Sequence, residues 1–505
     1  PQRPVSRSGL SCFPRTPISL CALVSPDRIG TSDLNIENAL ENARRELERE
    51  QNISPGLKAA IELLIVIVTL LSQRLGLNSK NSSKPPSSDP NRKKSSRSKG
   101  ERKPGGQPGR KGATLELFSE PDEVMEIAID RRKLPKGSYR DGGFERRQVV
   151  DIDISRVVTE YRAQVLIDEN GQHYVAEFPD KVGRAIQYGD SIKAHSVYLS
   201  QYQLLPYNRI ADYFSDQLGI PLSEGSIFNF NVEAASLVES TGAESIIKQR
   251  LQEGTLIHAD ETGINIAGKG RWLHVASNGL WTWFSAHDKR GFDAMKAEGI
   301  LPLFKGVLCH DHLKAYFLFT ACLHSLCNAH HLRELERAWE QDKQQWAKNL
   351  QELLITINLA VKAAGGRLPE DEAKAFRQQY QAILSAGEDE CPPPDERERK
   401  PGQRGRLKRS KARNLLERLQ KYENDTLRFM ETDYVPFTNN LGENDIRMTK
   451  VHQKISGCFR SMNGAVNFCK IRSYISSCRK QQVSASEALS SLFAGQLPTI
   501  FAQWS

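Results

Sequence analysis

In TLIHADETGINI, residues 255–266, Asp260 and Glu261 stand side by side at the end of an apolar run that reads as a buried strand. A carboxylate at a strand end is rigidly held and still reaches a cleft, which suits a metal ligand. A solvated strand terminus would look the same. The run KGVLCHD repeats the form and ends in Asp311. If the two strands are neighbours, acids at matching ends face each other and can hold a divalent ion. Mg²⁺ takes one or two carboxylates together with water and phosphate oxygens. A third acid comes from PFTNNLGENDIRMTKVHQKISGCFRS, residues 436–461. Asn439 and Asn440 cap a helix expected to start at Leu441, so Glu443 lies in its first turn. Arg447 and Lys450 follow one and two turns later on the same face. That spacing also fits a surface ion pair between Glu443 and Arg447, and the stretch alone leaves both readings open. Glu261 alternates to the other side of its strand and is expected to support the site or face solvent.

The elements that position these acids are legible in outline. Residues 255–311 read as strand, strand, strand, helix, strand: TLIHAD, RWLHVASN, LWTWFSAH, a helix near GFDAMKAEG, and GVLCHD. Three antiparallel strands, a crossover helix and a fourth strand is the opening of a ribonuclease-H-like fold. Trp272, Trp281 and Trp283 on these strands are expected in the core. Residues 329–430 read as mostly helical, with a charged, Pro-rich interruption at 388–407. Upstream, Ile210, Tyr213 and Phe214 share a helical face, Gly219 and Pro221 end that helix, and Ser223 caps a second with Ile227, Phe230 and Val232 as anchors. The layout matches a helix-turn-helix, although any helical hairpin would read similarly and the second helix is not basic. Residues 114–188 contain four short alternating runs, VMEIAI, QVVDIDI, EYRAQVLID and HYVAEFP, which suggest a small β-rich module.

The N-terminal part differs in kind. LKAAIELLIVIVTLLSQRLGL, residues 57–77, places Leu57, Ile61, Leu64, Val68, Leu71 and Leu75 at helical spacing, with Pro55 before it and Gly76 near its end. Its longest apolar stretch, Leu63–Leu71, is about half of a membrane span, so the helix is expected to be buried or to self-associate. Between Asn78 and Gly112, eleven Lys and Arg face two acids in a Pro-, Gly- and Ser-rich context. This is a linker by composition. It would contact a polyanion by counterion release or simply remain solvated. Lys93, Lys94, Arg110 and Lys111 are its candidate DNA contacts. The formal charge of +9 is concentrated there rather than spread over the chain. Nine scattered cysteines without a CxxC pair argue against a disulfide framework and for a reducing cytosol. Residues 1–30 lack periodicity and are expected to be a disordered extension.

The strings HADETG, GVLCHD, CNAHHLRELE, NNLGENDIRM and QKISGCFRS, in this order, with NSSKPPSSD and GGQPGRKG upstream, resemble the insertion sequence 66 family of bacterial transposases. The resemblance runs from about residue 40 to 485. It implies an acid-triad (DDE-type) enzyme with Asp260, Asp311 and Glu443 as catalytic and metal-binding residues, using Mg²⁺ with Mn²⁺ as substitute. It implies DNA cleavage and strand transfer, with double-stranded DNA, both the element's terminal inverted repeats and the target, as partner. Action as a homo-oligomer, with small accessory proteins of the same element, in the bacterial cytoplasm at the nucleoid and with no membrane role, goes with it. The competing readings are a nuclease that cuts without joining and a DNA-binding regulator without chemistry.

On this reading the fold is α/β plus helical regions. An N-terminal helical segment spans residues 31–77, followed by a basic linker, 78–113, and the β-rich module, 114–188. A helix-turn-helix-like region, 189–250, precedes a ribonuclease-H-like catalytic domain, 251–485, with a helical insertion at about 335–430, and a tail, 486–505. Within Cys327-Asn328-Ala329-His330-His331, the Cys-x-x-His has three readings: half a zinc site completed by Cys322 or His324, a histidine contact to the scissile phosphate, or histidines satisfied in the core. Lys454 and Arg460 flank a Gly turn and suit phosphate contact or a solvated loop. The chain departs from the family in two respects. Residues 114–250 contain no Cys, so no zinc finger is expected there, and Thr438 stands where an Asp is usual.

Overall fold

A computed structural model describes residues 36–50, 53–78, 80–82, 115–395, 397, 399 and 404–502. The expected disordered extension and most of the basic linker, with Lys93, Lys94, Arg110 and Lys111, lie outside these residues. The chain divides into two units, residues 1–93 and 94–505.

In the first unit, α1 (Ile36–Arg49) packs against α2 (Pro55–Leu75). Ser54 accepts a hydrogen bond from the Leu57 amide, and Pro55 occupies the first turn, where its missing N–H is harmless. Only Ile65 is buried among the described residues of α2. The expectation drawn from Leu63–Leu71 needs correcting. The apolar surface continues on both sides of that run, and α2 as a whole is long and apolar enough to cross a membrane by length and composition.

Among the described residues, the second unit opens with exposed chain from Leu115 onward. Of the four alternating runs, only the last two contribute strands, β1 (Val165–Ile167) and β2 (His173–Val175), joined by a turn in which Asp168 accepts from the Asn170 and Gln172 amides. VMEIAI and QVVDIDI form no ladder, and their apolar side chains stay exposed, Val149 at 95%. Alternation provides an apolar face, but no second layer covers it, and short strands without one are not stable.

Next come four helices: α3 (Asp190–Val197), which runs on into a π-helical turn, then α4 (Tyr207–Leu218), α5 (Glu224–Ser240) and α6 (Ala243–Gln252). Gly219 ends α4 with φ 60°, and Ser223 caps α5 through the Ser226 amide. The sheet strands are β3 (Leu256–Ile266), β4 (Lys269–Ser277), β5 (Thr282–His287), β6 (Val307–His310) and β7 (Leu323–Leu326), with α7 (Phe292–Ala297) between β5 and β6. Their spatial order is β5-β4-β3-β6-β7; β3, β4 and β5 are antiparallel, while β6 and β7 run parallel to β3.

Five helices follow: α8 (Asn328–Asp342), α9 (Gln345–Ala363), α10 (Glu370–Glu390), α11 (Lys411–Lys421) and α12 (Glu423–Glu431). They bury a core of their own that includes Trp346, Leu354, Tyr380 and Leu416. This excursion closes on itself, because the Asn328 amide at its start donates to the Phe437 carbonyl just after its end (3.0 Å). The chain finishes with α13 (Asn440–Ser456), α14 (Met462–Lys480), α15 (Ala485–Phe493) and α16 (Thr499–Ala502).

Helix α5 packs against α3, α14 and α15. Ile210, Phe214, Ile227 and Phe230 join Trp281 and Trp283 in that core, whereas Val232 faces outward. The second helix of the expected helix-turn-helix thus has a core role and carries no Lys or Arg. Trp272 is only half buried, with the Arg290 guanidinium over its ring at 4.8 Å. The edge strand β5 is closed by α14. Ser477 and Ser473, one helical turn apart, accept the Thr282 and Phe284 amides, which are two strand residues apart. An edge whose donors are satisfied by a helix is not open to strand addition.

Gly306, immediately before β6, lies so close to β3 that an added Cβ would sit 2.4 Å from the Thr255 carbonyl oxygen and 2.8 Å from that of Gly254. Gly306→Ala is expected to destabilise the second unit by about 1–3 kcal/mol, the usual cost of overpacking, read as a lowered denaturant midpoint.

Candidate active site

Asp260 is not at a strand end. β3 continues to Ile266 because β4 pairs with it from His258 onward, with Asp260 opposite Val275. What ends near Asp260 is the other partner. β3 and β6 pair as Leu256↔Val307, Ile257↔Leu308 and His258↔Cys309. Carried two residues further, the same register brings Asp260 level with Asp311, just beyond the end of β6. Both side chains then lie on the face of His258 and Cys309. Asp311 turns the chain away by accepting the Leu313 amide (2.7 Å), and Asp260 accepts the Glu261 amide (2.9 Å).

Glu443 arrives on the first turn of α13, and Asn439 fixes that entry. Asn439 sits at the cap position, but its buried side chain does not cap the helix. It crosses to β3 instead, where its amide donates to the Ala259 carbonyl (2.7 Å). That bond orients its oxygen towards His258 Nδ1 (2.8 Å), so the imidazole carries its proton there. The Asn439 backbone N–H donates to Cys327 Sγ (3.2 Å). One residue thus ties α13 to β3 through its side chain and to the start of α8 through its backbone N–H.

The three acids share one electrostatic environment. Burial first, then the charges of Glu261, Asp311 and Glu443, push the Asp260 carboxyl up to about 8. Among the described residues, no Lys or Arg forms an ion pair with Asp260, Asp311 or Glu443. The Glu443–Arg447 ion pair of the alternative reading does not form. Glu443 Oε1 faces His330 Nδ1 and the Cys327 thiol, each at 3.8 Å. Burial pushes that thiol up to about 11, so it is a donor to the carboxylate.

Glu261 has the opposite surroundings. Its side chain is buried on the other side of β3, where it accepts from Arg290 Nη2 (2.7 Å) and from the Tyr316 hydroxyl (2.6 Å). It supports the strand and does not face solvent.

The profile of the transposase IS66 family matches residues 185–467, from just before α3 into α14, with all three acids inside. The chain belongs to this family. Members of a transposase family bind DNA and cleave and transfer it. A family of unknown function, DUF6444, matches residues 31–116 and with them α1 and α2. A search of curated proteins finds no match.

The remaining predicted residues divide around the candidate site of this IS66-family chain. His330 lies at it; His331 does not, being buried and bonded to Asn328 Oδ1 (2.9 Å). Cys322 and His324 do not join Cys327 either. Cys322 donates to the Phe319 carbonyl and His324 pairs with His310. Arg447, Lys454 and Arg460 are exposed along and beyond α13. Lys450 donates to the Gly263 carbonyl (2.5 Å) and braces α13 against β3. The loop holding Arg460 is docked rather than solvated, since buried Phe459 exchanges backbone hydrogen bonds with Asn265 and Ala267 at the far end of β3. Sequence reasoning missed the crossing bonds of Asn439, the Cys327–Glu443 contact and the Glu261–Arg290–Tyr316 cluster. The one available signal was the Asn439-Asn440 pair, which reads as a cap.

Two outcomes are expected. Asn439→Ala leaves His258 Nδ1 and the Ala259 carbonyl without partners, at a cost of about 1–3 kcal/mol for each buried group left unpaired, measurable by chemical denaturation. For Asp260, the folded state holds its proton more tightly than an unfolded chain, whose carboxyl sits near 3.8. Its contribution to stability is complete below that value and is lost as pH rises towards 8. Asp260→Asn removes the titration. In metal-free buffer the stability of the variant relative to wild type therefore rises from pH 4 to pH 8 and then levels, followed by thermal unfolding.

Proposed function

We propose that the chain is a DDE-type transposase that cuts the ends of its element and joins them to target DNA, with Asp260, Asp311 and Glu443 as its catalytic carboxylates. The observation that carries this reading is the β3–β6 register, which brings Asp260 level with Asp311 where β6 ends. The pinned start of α13 supplies the third acid. Strand order supports a ribonuclease-H-like core of residues 251–485, with antiparallel β3, β4 and β5, a crossover through α7 and parallel β6 and β7. The helical insertion then runs from α8 to α12.

The donor set fits hard divalent cations. Asp311 and Glu443 both act on the Asp260 carboxyl, whose proton affinity is raised first by burial, then by Glu261, and then by these two acids, and among the described residues none of the three forms an ion pair with Lys or Arg. Asp260, Asp311 and Glu443 would hold Mg²⁺, with Mn²⁺ as substitute. A bound pair of ions supplies activation of the attacking oxygen and stabilisation of the leaving oxygen of the phosphodiester. The chain's own groups do the rest. His258 and Asn439 keep Glu443 at the sheet, and Glu261 holds β3 through Arg290 and Tyr316. Arg447, Lys454 and Arg460 offer cations to a DNA backbone running along α13, and His330 stands beside Glu443 within reach of the same strand. The basic linker with Lys93, Lys94, Arg110 and Lys111 adds counterion release. The exposed apolar surface of α2 is assigned to self-association, and a cytoplasmic, nucleoid-bound oligomer with small accessory proteins completes the reading.

The test uses labelled DNA carrying the element's ends together with a target plasmid. Wild-type protein yields cut and joined products. Asp260→Asn, Asp311→Asn and Glu443→Gln each lower product formation at least about 10²-fold, the scale of losing one stabiliser of transition-state charge, while DNA retention in a gel persists. Cutting without joining by the wild type would indicate a nuclease. Cellular effects that survive Glu443→Gln unchanged would indicate a regulator without chemistry.

A further inference from the structure

Glu443 faces two sets of groups. On one side are Asp260 and Asp311. On the other are Cys327 and His330, which the carboxylate chemistry does not use. Cys327 stands at the cap of α8 and His330 three residues on, so both project from the same end of that helix. Their ligand atoms and a Glu443 carboxylate oxygen all lie within 4.8 Å of one another. The sulfur and the ring nitrogen are each 3.8 Å from Glu443 Oε1. Ligand atoms at about 2.0–2.3 Å from a tetrahedral ion stand roughly 3.3–3.8 Å apart, so the cluster is nearly at bonding geometry. His330 Nδ1 points into this space, is shielded from solvent and has no hydrogen-bond partner. Cys327 Sγ is held in place by the Asn439 amide (3.2 Å).

The donor set is one sulfur, one imidazole nitrogen and one carboxylate oxygen. It is softer than three carboxylates and selects Zn²⁺ over Mg²⁺. Three protein ligands leave a fourth position open. We propose that Cys327, His330 and Glu443 form a Zn²⁺ site that shares Glu443 with the carboxylate set, and that loading it draws Glu443 away from Asp260 and Asp311. The first half stands on the geometry alone. The second, an inhibitory switch, rests on the carboxylate reading above. Binding is not a redox event: the Cys327 thiol gives its proton to solvent, and its sulfur, the His330 ring nitrogen and a Glu443 oxygen bond to the ion.

Co²⁺ added to the reduced, full-length protein is the probe. Wild type and Cys322→Ser are expected to show a thiolate-to-cobalt charge-transfer band with intense tetrahedral ligand-field bands. Cys327→Ser loses the charge-transfer band. His330→Ala binds at least about tenfold more weakly, because even an outer-shell partner of a metal site contributes about 10–100-fold. Since His330→Ala reports independently, a folding defect in Cys327→Ser does not shield the proposal. No charge-transfer band in wild type, or an unchanged band in Cys327→Ser, overturns the site.

Zn²⁺ titrated into Mg²⁺-supported DNA cleavage tests the switch. Wild type is expected to lose activity at concentrations at least about tenfold below those that affect Cys327→Ser, each compared with its own zinc-free rate. Equal sensitivity overturns the inhibitory half. Asp311→Asn separates the two readings. It should keep the cobalt bands while losing cleavage, and a variant that cleaves normally would sink the carboxylate triad without touching the thiol site.

Discussion

The parallel pairing of β3 with β6 is the contact on which the site depends. A slip of one residue would set Asp311 against Ala259 or Glu261 and turn its side chain to the other face of the sheet. Register is enforced at Gly306, where the chain passes so near the Thr255 carbonyl that no side chain fits. A missing Cβ at the entrance to β6 therefore governs where a carboxylate stands at its exit. Because β4 alone continues beside β3 past this point, the acids meet where the sheet narrows on one side and a cleft can form.

Adjacent carboxylates receive opposite treatment. Glu261 is buried with a guanidinium and a phenol as partners, which makes it part of the frame. Asp260, next along the strand, is buried among other acids without an ion-pair partner, which raises its affinity for a proton. The groups that hold Glu443 near it are an amide, an imidazole and a thiol rather than Lys or Arg. Anchoring by neutral hydrogen bonds fixes position without neutralising the acids, and that combination suits a site meant to attract cations.

Much of this was legible in the sequence. Two apolar runs ending in acids predicted neighbouring strands, and the order of three antiparallel strands, helix and parallel strand appears in the sheet. Gly219 and Ser223 bounded their helices as turn and cap chemistry requires. Other features depend on tertiary partners that local pattern cannot name. Asn439 carries a cap signal, yet β3 outcompetes the helix for its side chain. The alternation in VMEIAI and QVVDIDI is genuine, but a strand needs a neighbour, and none is present among the described residues. β3 was underestimated because ETGINI is too polar to read as buried strand, and β4 supplies the missing half of its ladder. The packing of α5 against α3, α14 and α15 could not be read from its own residues.

The hydrogen bond between Asn328 and Phe437 has a consequence for how such a protein can change over time. The helical excursion leaves and returns at one point, beside the site, and carries its own core. Its entry and exit are held by the bonds of Asn439 and Cys327, and α12 also docks on β7, where Arg428 donates to the His324 carbonyl. Lengthening a closed loop costs only about 0.6 kcal/mol per doubling. The excursion is therefore a replaceable cassette: residues far from the acids can be gained, lost or recruited to new contacts while the two ends stay stapled and the spacing of the carboxylates is inherited unchanged.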